Sequence, residues 1–263
     1  MNKPTYFETR PVGPDTTALI SYLPVPGFGV LPVNAFVIAA KEPVLMDTGL
    51  AVVREDFMQA LRDVVDPLNL RWIWITHADA DHVGNLQAVL DAAPNARIVT
   101  NFLGMGKLAM QQLPLDRVFL LNPNQHLNVG DRLLQAVAPP SYDAPETTGL
   151  YDPSSQSLFS ADCFGALLET PVSTAADIPA GALREGSIAW ASVDAPWLQL
   201  VDTDKFRACL AAISTLKART VFSSHLPPAC DMIDRLLQYL ADARRAPAFV
   251  GPDQRMLENM LAA

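Results

Sequence analysis

Four side chains of the types that bind metal ions lie within six residues of the sequence: His77, Asp79, Asp81 and His82. They follow residues 71–76 (RWIWIT), a predicted strand, and precede a predicted helix over residues 83–93. A turn from a strand into a helix curls the backbone, so that neighbouring side chains can face one site. Aspartate is common at turns and helix caps, which would explain Asp79 alone. That explanation does not cover the whole cluster, which holds two of the chain's four histidines, and the segment therefore predicts a metal site.

The elements around this cluster are predicted from the spacing of apolar residues. Apolar and β-branched runs predict strands at residues 33–40, 44–46, 71–76, 97–100, 118–121, 132–138, 148–151, 157–161 and 220–223. Helical periodicity predicts helices at residues 51–65, 83–93, 204–216, 231–245 and 254–261. Residues 165–202 are expected to form a helix or two that cover the site. This order indicates an α/β fold with two packed sheets and helices outside, an αβ/βα sandwich.

The composition favours one continuous domain over residues 1–263. Half of the residues are hydrophobic, and neither a repeat nor a low-complexity linker interrupts the chain. The net charge of −9 and the scattered basic residues argue against nucleic acid, because phosphate binding needs clustered Lys and Arg. No apolar run approaches the roughly 20 residues that cross a bilayer, and the polar start does not resemble a leader peptide. A cytoplasmic protein without membrane attachment is therefore expected.

One histidine and the three cysteines are not expected to bind metal. The cysteines lack CxxC spacing, so neither a disulfide framework nor a zinc knuckle is expected. Cys163 directly follows Asp162, and its side chain should point to the opposite face of the strand and pack in the core. His126 lies in a segment rich in Asn and Pro, and we expect it in a surface loop.

Four motifs resemble those of the metallo-β-lactamase superfamily. Residues 76–85 (THADADHVGN) resemble its metal-binding signature, H-x-[HED]-x-D-H followed by a small residue and Gly. Residues 34–49 (NAFVIAAKEPVLMDTG) resemble its opening strand pair with an Asp-Thr-Gly turn. Residues 159–162 (FSAD) resemble its bridging-aspartate strand, and residues 223–225 (SSH) resemble its strand-end histidine. The order of the motifs is that of the superfamily, which implies its four-layer αβ/βα sandwich of two mixed β-sheets with outer helices.

Three details resemble the flavodiiron and oxygen-binding di-iron branch of this superfamily. Asp79 places a carboxylate at the third signature position, where the hydrolases usually have histidine. Residues 143–147 (DAPET) resemble H-W-P-[DE]-[ST], and residues 159–165 (FSADCFG) resemble F-S-x-D-x-F-G. Two positions depart from the pattern, because Asp79 stands where that branch usually has Glu and Asp143 stands where it has His.

The resemblance implies seven metal ligands. One ion would be bound by His77, Asp79, Asp143 and a bridging Asp162. The other would be bound by Asp81, His82, the bridging Asp162 and His225. Asp81 and Asp162 are expected to have catalytic roles. Asp143 could instead be a solvent-facing loop residue, and the neighbouring Tyr142 could lean into the pocket.

This ligand set favours iron. Its four carboxylates balance the charge of two divalent ions, and oxygen-rich sites suit iron or manganese better than the His- and Cys-rich sites that zinc prefers. Manganese and zinc remain alternatives. The first hypothesis is therefore a non-haem di-iron protein that binds or reduces oxygen or a related small oxidant.

Two other functions stay open. The first is a two-metal zinc hydrolase of an ester, thioester, lactone or phosphoester, in which a metal-bound hydroxide attacks the substrate. The second is a vestigial regulatory domain that binds metal weakly. Flavodiiron reductases normally continue into a flavodoxin domain, for which this chain is too short. Either an external partner therefore supplies electrons, or the protein senses or binds oxygen without rapid turnover. A homodimer is a further expectation.

Overall fold

The computed structural model describes residues 6–262, and its strands form two sheets. The first sheet has the strands β1 (Tyr6–Pro11), β2 (Thr16–Val25), β3 (Gly29–Ile38), β4 (Val44–Met46), β5 (Trp72–Trp74), β6 (Arg97–Thr100) and β7 (Val118–Leu120). The second sheet has the strands β8 (His126–Asn128), β9 (Leu133–Val137), β10 (Gly149–Asp152), β11 (Ser157–Phe159), β12 (Thr220–Phe222) and β13 (Ala229–Cys230). The helices are α1 (Arg54–Val64), α2 (Ala80–Val83), α3 (Leu86–Ala92), α4 (Phe102–Met110), α5 (Ala180–Asp194), α6 (Thr203–Thr215), α7 (Ile233–Ala243) and α8 (Gln254–Ala262).

Both sheets mix parallel and antiparallel pairs. In the first sheet β1 to β4 pair antiparallel, whereas β4 to β7 pair parallel. In the second sheet β11 and β12 are parallel and the other neighbours are antiparallel. The predicted α/β fold, with two mixed sheets and outer helices, is confirmed. The expectation of one domain over residues 1–263 stays a prediction, and residues 1–5 and 263 lie outside the described residues.

The alternation of side chains along the strands separates four layers. In β4 and β5, Leu45 and Ile73 belong to the core cluster that includes the buried faces of α1 and α3. Met46 and Trp74 point the other way, into the core between the two sheets. Because successive side chains of a strand point to opposite faces, strands that are apolar on both faces must be covered on both. Trp74 is 1% exposed, as expected for a core residue.

Three phenylalanines hold the two sheets together behind the candidate site. Phe36 of the first sheet lies 5.4 Å from Phe159 and 5.3 Å from Phe222, measured between ring centroids. Phe159 and Phe222 lie 4.9 Å apart on neighbouring strands of the second sheet. Such close ring contacts stabilise the packing beyond the burial of their area. They fix the spacing of the strand ends that carry the site.

The predicted helix over residues 83–93 is divided into α2 and α3. The break lies at Gly84 and Asn85, where the chain packs against another part of the backbone. A Cβ atom at Gly84 would lie only 2.5 Å from backbone atoms of Gly49 and of Ala51. The chain therefore approaches the Asp-Thr-Gly turn more closely than an uninterrupted helix with side chains would allow. The side-chain amide of Asn85 donates to the carbonyl of Thr48 at 2.7 Å and closes the contact.

Several elements were absent from the prediction. The strand prediction began at residue 33, whereas two strands precede it: β2 pairs with β3, and β1 pairs with β2. The run Ala18–Ile20 is buried without alternation, so pairing with β3, and not local periodicity, decides its conformation. His126 was expected in a loop, which was wrong. It is exposed at the start of the edge strand β8, whose three residues are too few to show a pattern.

The prediction of helical cover between residues 165 and 202 is confirmed by α5. Among residues 6–262, no helix combines the length and the apolar character needed to cross a bilayer. The cytoplasmic location stays a prediction.

Asn34 joins the first sheet to the loop that follows β12. Its backbone N–H donates to the carbonyl of Ser224 at 2.9 Å. Its side-chain amide donates to the carbonyls of Ser223 at 2.8 Å and Leu226 at 2.9 Å. These acceptors flank His225, so the amide of Asn34 fixes the position of one predicted metal ligand.

We expect Asn34→Ala to lower the free energy of unfolding by about 1 to 3 kcal/mol, because two buried carbonyls lose their donor. Urea unfolding of the metal-free protein measures the change. The control is Gln59→Ala, which removes an exposed hydrogen bond to Asp63 and should change stability by less than about 0.5 kcal/mol. Equal effects of the two substitutions would contradict the role of Asn34.

Candidate metal centre

The seven predicted ligands come together at one edge of the sandwich. His77 follows β5, Asp79 is the N-cap residue that precedes α2, and Asp81 and His82 lie within α2. Asp162 and His225 lie in the loops after β11 and β12, which are parallel and therefore end side by side. Asp143 lies in the loop between β9 and β10. The structure thus gathers strand ends from both sheets around one set of acidic and imidazole side chains.

Asp162 lies at the middle of this set. Its Oδ2 atom is 3.5 Å from Nε2 of His77. Its Oδ1 atom is 3.1 Å from Nε2 of His82 and 3.2 Å from Nε2 of His225. The two oxygens therefore face different histidines, which is the arrangement that a carboxylate shared by two ions requires.

Two groups of ligand atoms lie on either side of Asp162. One consists of His77, Asp79 and Asp143, and Oδ1 of Asp143 is 3.8 Å from Nε2 of His77. The other consists of Asp81, His82 and His225, and Oδ2 of Asp81 lies 3.6 and 3.5 Å from the two Nε2 atoms. Within each group the ligand atoms are all within 4.8 Å of one another. The division is the one that the family resemblance implied.

The polar atoms at the centre fit bound ions better than hydrogen bonds. Nε2 of His77, Nε2 of His82 and Oδ1 of Asp162 are buried and have no hydrogen-bond partner among residues 6–262. Buried polar atoms in proteins are normally paired, so three such atoms in one place call for a missing partner. Ligand atoms about 2.1 Å from one ion lie about 3 to 3.5 Å apart. The observed separations around Asp162, from 3.1 to 3.5 Å, agree with that spacing.

Hydrogen bonds at the other ring nitrogen orient all three histidines. Nδ1 of His225 lies 2.8 Å from the carbonyl oxygen of Pro32 and donates to it. Nδ1 of His82 lies 2.9 Å from Oδ2 of Asp47. Nδ1 of His77 lies 3.1 Å from the hydroxyl of Thr76. Each contact leaves Nε2 directed into the cluster, as the outer hydrogen bonds of metal-binding histidines do.

Asp47 contacts the candidate site, although the sequence analysis treated it only as part of a turn. Its Oδ1 and Oδ2 atoms accept from the backbone and hydroxyl of Thr76, both at 2.8 Å. With the contact to His82, one carboxylate orients the strand end and a predicted ligand. The backbone of Asp47 has φ 58°, in the left-handed region. The signal in the sequence was its place in an Asp-Thr-Gly turn directly after a strand.

Charges in the cluster favour a cation. Burial opposes protonation of His82, but the carboxylates of Asp162, Asp81 and Asp47 outweigh burial and raise its pKa well above the usual value. His225 is affected in the same way, chiefly by Asp162, and its pKa rises to about 9. Burial would raise the pKa of Asp162, but the three histidines hold it well below the usual value. Without an ion, protons on His82 and His225 balance the carboxylates, and a metal ion would displace them.

Asp143 faces the cluster while remaining partly accessible. Its side chain is 33% exposed, and its Oδ1 atom is directed at His77. Burial raises its pKa, His77 lowers it, and the carboxylates of Asp162 and Asp79 raise it again, with a net increase. The ring of Tyr142 packs on Trp197, with 5.1 Å between centroids, instead of entering the cluster.

Helix α5 brings two residues to the site that the sequence analysis missed. Nε1 of Trp190 donates to the carbonyl of Asp162 at 3.0 Å, and its ring lies 4.5 Å from the ring of His225. Asp194, one helical turn later, is 7% exposed and forms a further acidic group with Asp143 and Asp162. Burial and those two carboxylates raise the pKa of Asp194 to about 8. Four-residue spacing could have placed Trp190 and Asp194 on one face, but not against the site.

Polar side chains from outside the cluster support the turn between His77 and Asp79. The carboxylate of Glu146 is fully buried, with Oε1 2.6 Å from Nζ of Lys107 and 3.4 Å from the backbone nitrogen of Ala78. The amide of Gln111 donates to the carbonyl of Ala78 at 2.9 Å. The backbone N–H and the backbone C=O of Ala78 are therefore both held by side chains.

Cys163 packs as predicted. It is 1% exposed, and its sulfur accepts a hydrogen bond from the hydroxyl of Ser141 at 3.2 Å. Burial raises the pKa of the thiol to about 12, so it is protonated and unreactive at neutral pH.

Sequence comparison with known proteins finds relatives that are named as a reductase and as flavoproteins. The chain is 23% identical over 187 residues to a nitric oxide reductase of Moorella thermoacetica, covering 70% of this chain and 47% of that protein. It is 28% identical over 141 residues to diflavin flavoprotein A 1 of Synechocystis, covering 50% of this chain and 23% of that protein. The chain therefore spans less than half the length of either relative.

Solved structures share the fold at low identity. Rubredoxin oxygen:oxidoreductase from Desulfovibrio gigas superposes with a TM-score of 0.81 at 18% identity, covering 91% of this chain and 62% of that chain. A fragment of the putative diflavin flavoprotein A 5 of Nostoc superposes with a TM-score of 0.76 at 20% identity, covering 92% and 97% of the two chains. The family model described as ODP family beta lactamase matches residues 31–182. Because this match covers more than half of the chain, the protein belongs to the ODP family of the metallo-β-lactamase fold.

Proposed function

We propose that the chain binds two iron ions and, when they are reduced, binds or reduces oxygen, nitric oxide or a related small oxidant. The observation that carries the proposal is the buried carboxylate of Asp162, whose two oxygens face histidines of two different ligand groups. The names of relatives support it, since one is a nitric oxide reductase and another an oxygen oxidoreductase.

The chemistry of the donors supports iron over zinc. The proposed ligands are three histidines and four carboxylates: His77, His82, His225, Asp79, Asp81, Asp143 and Asp162. Zinc sites favour few ligands rich in His and Cys, whereas iron and manganese accept more oxygen ligands. The four negative charges equal the charge of two divalent ions. Manganese is the nearest alternative on the same argument.

Reduced iron, when bound, supplies electrons to the oxidant. The residues of the chain control access and orientation. Asp81, 27% exposed, lies between the buried histidines and solvent, where a small molecule would arrive. Trp190 covers His225 and limits the approach of water from the α5 side. Asp47 holds His82 so that its Nε2 atom stays directed at Asp162.

The electron donor is proposed to be a separate protein or small reductant. The relatives named as diflavin proteins are much longer than their match to this chain, and that match covers 23% of the Synechocystis protein. Reduction of oxygen or nitric oxide consumes electrons, so turnover in an assay of this chain should depend on an added reductant. The homodimer stays a prediction.

The first test concerns metal content. We expect about two iron ions per chain after anaerobic purification from iron-supplied cells, because the donor set is rich in carboxylates. Elemental analysis by mass spectrometry gives the number directly. A reproducible content of zinc alone under these conditions would contradict the iron assignment and favour the hydrolase.

The second test concerns reactivity. The anaerobically reduced, iron-loaded protein should change its near-ultraviolet and visible absorption on stopped-flow mixing with oxygen, and should hydrolyse generic esters, lactones and phosphodiesters poorly. Asp81→Ala and Asp162→Ala should abolish the change, since both lose an acidic ligand. Spectral silence together with metal-dependent hydrolysis that these variants abolish would establish the hydrolase instead. Silence in both assays would favour the vestigial domain.

The third test concerns Asp47. Asp47→Asn keeps the side-chain shape and tolerates the left-handed backbone, but removes the charge that orients His82. We expect metal affinity to fall by about 10- to 100-fold, as for other outer partners of metal-bound histidine. Competition with a chromophoric chelator measures the affinity. The matched control is Asp91→Asn, an exposed carboxylate paired with Gln87, and an effect as large as that of Asp47→Asn would refute the assignment.

A further inference from the structure

One face of α5 rests on the candidate metal centre. Gly186, Trp190 and Asp194 follow one another at four-residue intervals and therefore lie along one side of the helix. A Cβ atom at Gly186 would lie 2.5 Å from the carbonyl oxygen of Leu167, so the helix approaches the backbone closely. Trp190 contacts Asp162 and His225 from this face. Asp194 is the last residue of the helix and extends the same face toward Asp143.

The carboxylate of Asp194 is buried and incompletely paired. Its Oδ2 atom is buried from solvent and has no hydrogen-bond partner among residues 6–262. A ligand oxygen of Asp194 lies within 4.8 Å of ligand oxygens of both Asp143 and Asp162. A buried carboxylate with an unpaired oxygen therefore lies beside two of the proposed ligands.

Three factors make a carboxylate unfavourable at this position. It is buried, two other carboxylates lie beside it, and it stands at the C-terminal, negative end of a helix. The nearby cation Lys107 is paired with Glu146. A metal ion is the partner that would offset all three factors.

Asp143 leaves room for such a ligand. It stands where the resembling proteins have histidine, and an aspartate side chain is shorter. Its oxygen lies 3.8 Å from Nε2 of His77, compared with 3.5 Å for Oδ2 of Asp162. In the second group the corresponding distances, from Oδ2 of Asp81 to Nε2 of His82 and of His225, are 3.6 and 3.5 Å, so Asp143 is held less closely than Asp81.

We propose that Asp194 is an additional oxygen ligand of the ion held by His77, Asp79 and Asp143. This inference rests on the proposed dinuclear function and names a ligand beyond the seven predicted from the sequence. The centre then has five carboxylates and three histidines. Five negative charges exceed those of two divalent ions, which favours manganese and iron, and the trivalent state of iron, over zinc.

The test uses Mn²⁺ alone with the full, metal-stripped chain. Electron paramagnetic resonance of free Mn²⁺ counts bound ions and gives their affinities. Wild type should bind two ions, and Asp194→Asn should bind one of them at least about tenfold more weakly. Asp143→Ala should weaken the same ion, and the double variant should fall short of additivity because both residues contact it. The exposed control Asp204→Asn should match wild type.

A second measurement separates a ligand from a structural residue. The metal-free Asp194→Asn protein should melt no lower than wild type, because the substitution removes an unfavourable buried acid. Unchanged Mn²⁺ binding by Asp194→Asn would overturn the inference while leaving the dinuclear proposal intact. A lowered melting temperature with equal weakening of both ions would overturn it in favour of a structural role. Failure of wild type to bind Mn²⁺ or iron would overturn the proposed function and this inference together.

If the asparagine variant does not fold, a crystal structure of Mn²⁺-loaded wild type decides the question. An Asp194 oxygen within about 2.5 Å of an ion supports direct ligation, and a longer separation overturns it.

Discussion

The burial of charge around Asp162 is the constraint on which the rest of the site depends. Three imidazoles converge on its two oxygens, and several of these atoms have no hydrogen-bond partner among the described residues. Removing charged groups from water costs several kcal/mol each unless opposite charges compensate. The fold must therefore hold the carboxylates and imidazoles at fixed separations, although repulsion between like charges favours moving them apart. The surrounding elements are best understood as the supports that do so.

Those supports come mainly from the first sheet and the loops after its strands, and they reach across to the second sheet. Asp47 and Thr76 of the first sheet orient His82, whereas the carbonyl of Pro32 orients His225 of the second. Asn34 binds the loop around His225 directly, and the phenylalanine cluster keeps the strand ends at a constant distance. The backbones of Asp47 and of Ala161, beside Asp162, adopt left-handed conformations. Such strained positions persist where the surroundings determine them fully, which is common at functional sites.

The acidic character of the centre distinguishes it from zinc hydrolase sites. Asp79 stands where zinc hydrolases usually have a neutral histidine and the di-iron proteins usually have the longer glutamate. Asp143 stands where the di-iron proteins have histidine. Each aspartate is shorter than the residue it replaces, and it adds a negative charge where it replaces histidine. Asp194 approaches from α5 and adds another carboxylate on the side where Asp143 reaches least. The helix thus does more than cover the site. Its Trp190 packs on the ring of His225, and its last residue, Asp194, would change the charge that a bound ion experiences.

The sequence by itself determined the short-range features of this protein, which are the ligand-rich segment and the individual strands. The segment from His77 to His82 is compact enough to show its ligands without a fold, and strands such as β5 and β12 are apolar on both faces. The order of the motifs then indicated the sandwich and seven candidate ligands. Only the tertiary structure decided that Asp47 faces His82, that β1 and β2 extend the first sheet, and that Asp194 faces Asp143. Local periodicity specifies which face of an element is buried, but not which distant element covers it, because that choice depends on packing across the whole chain.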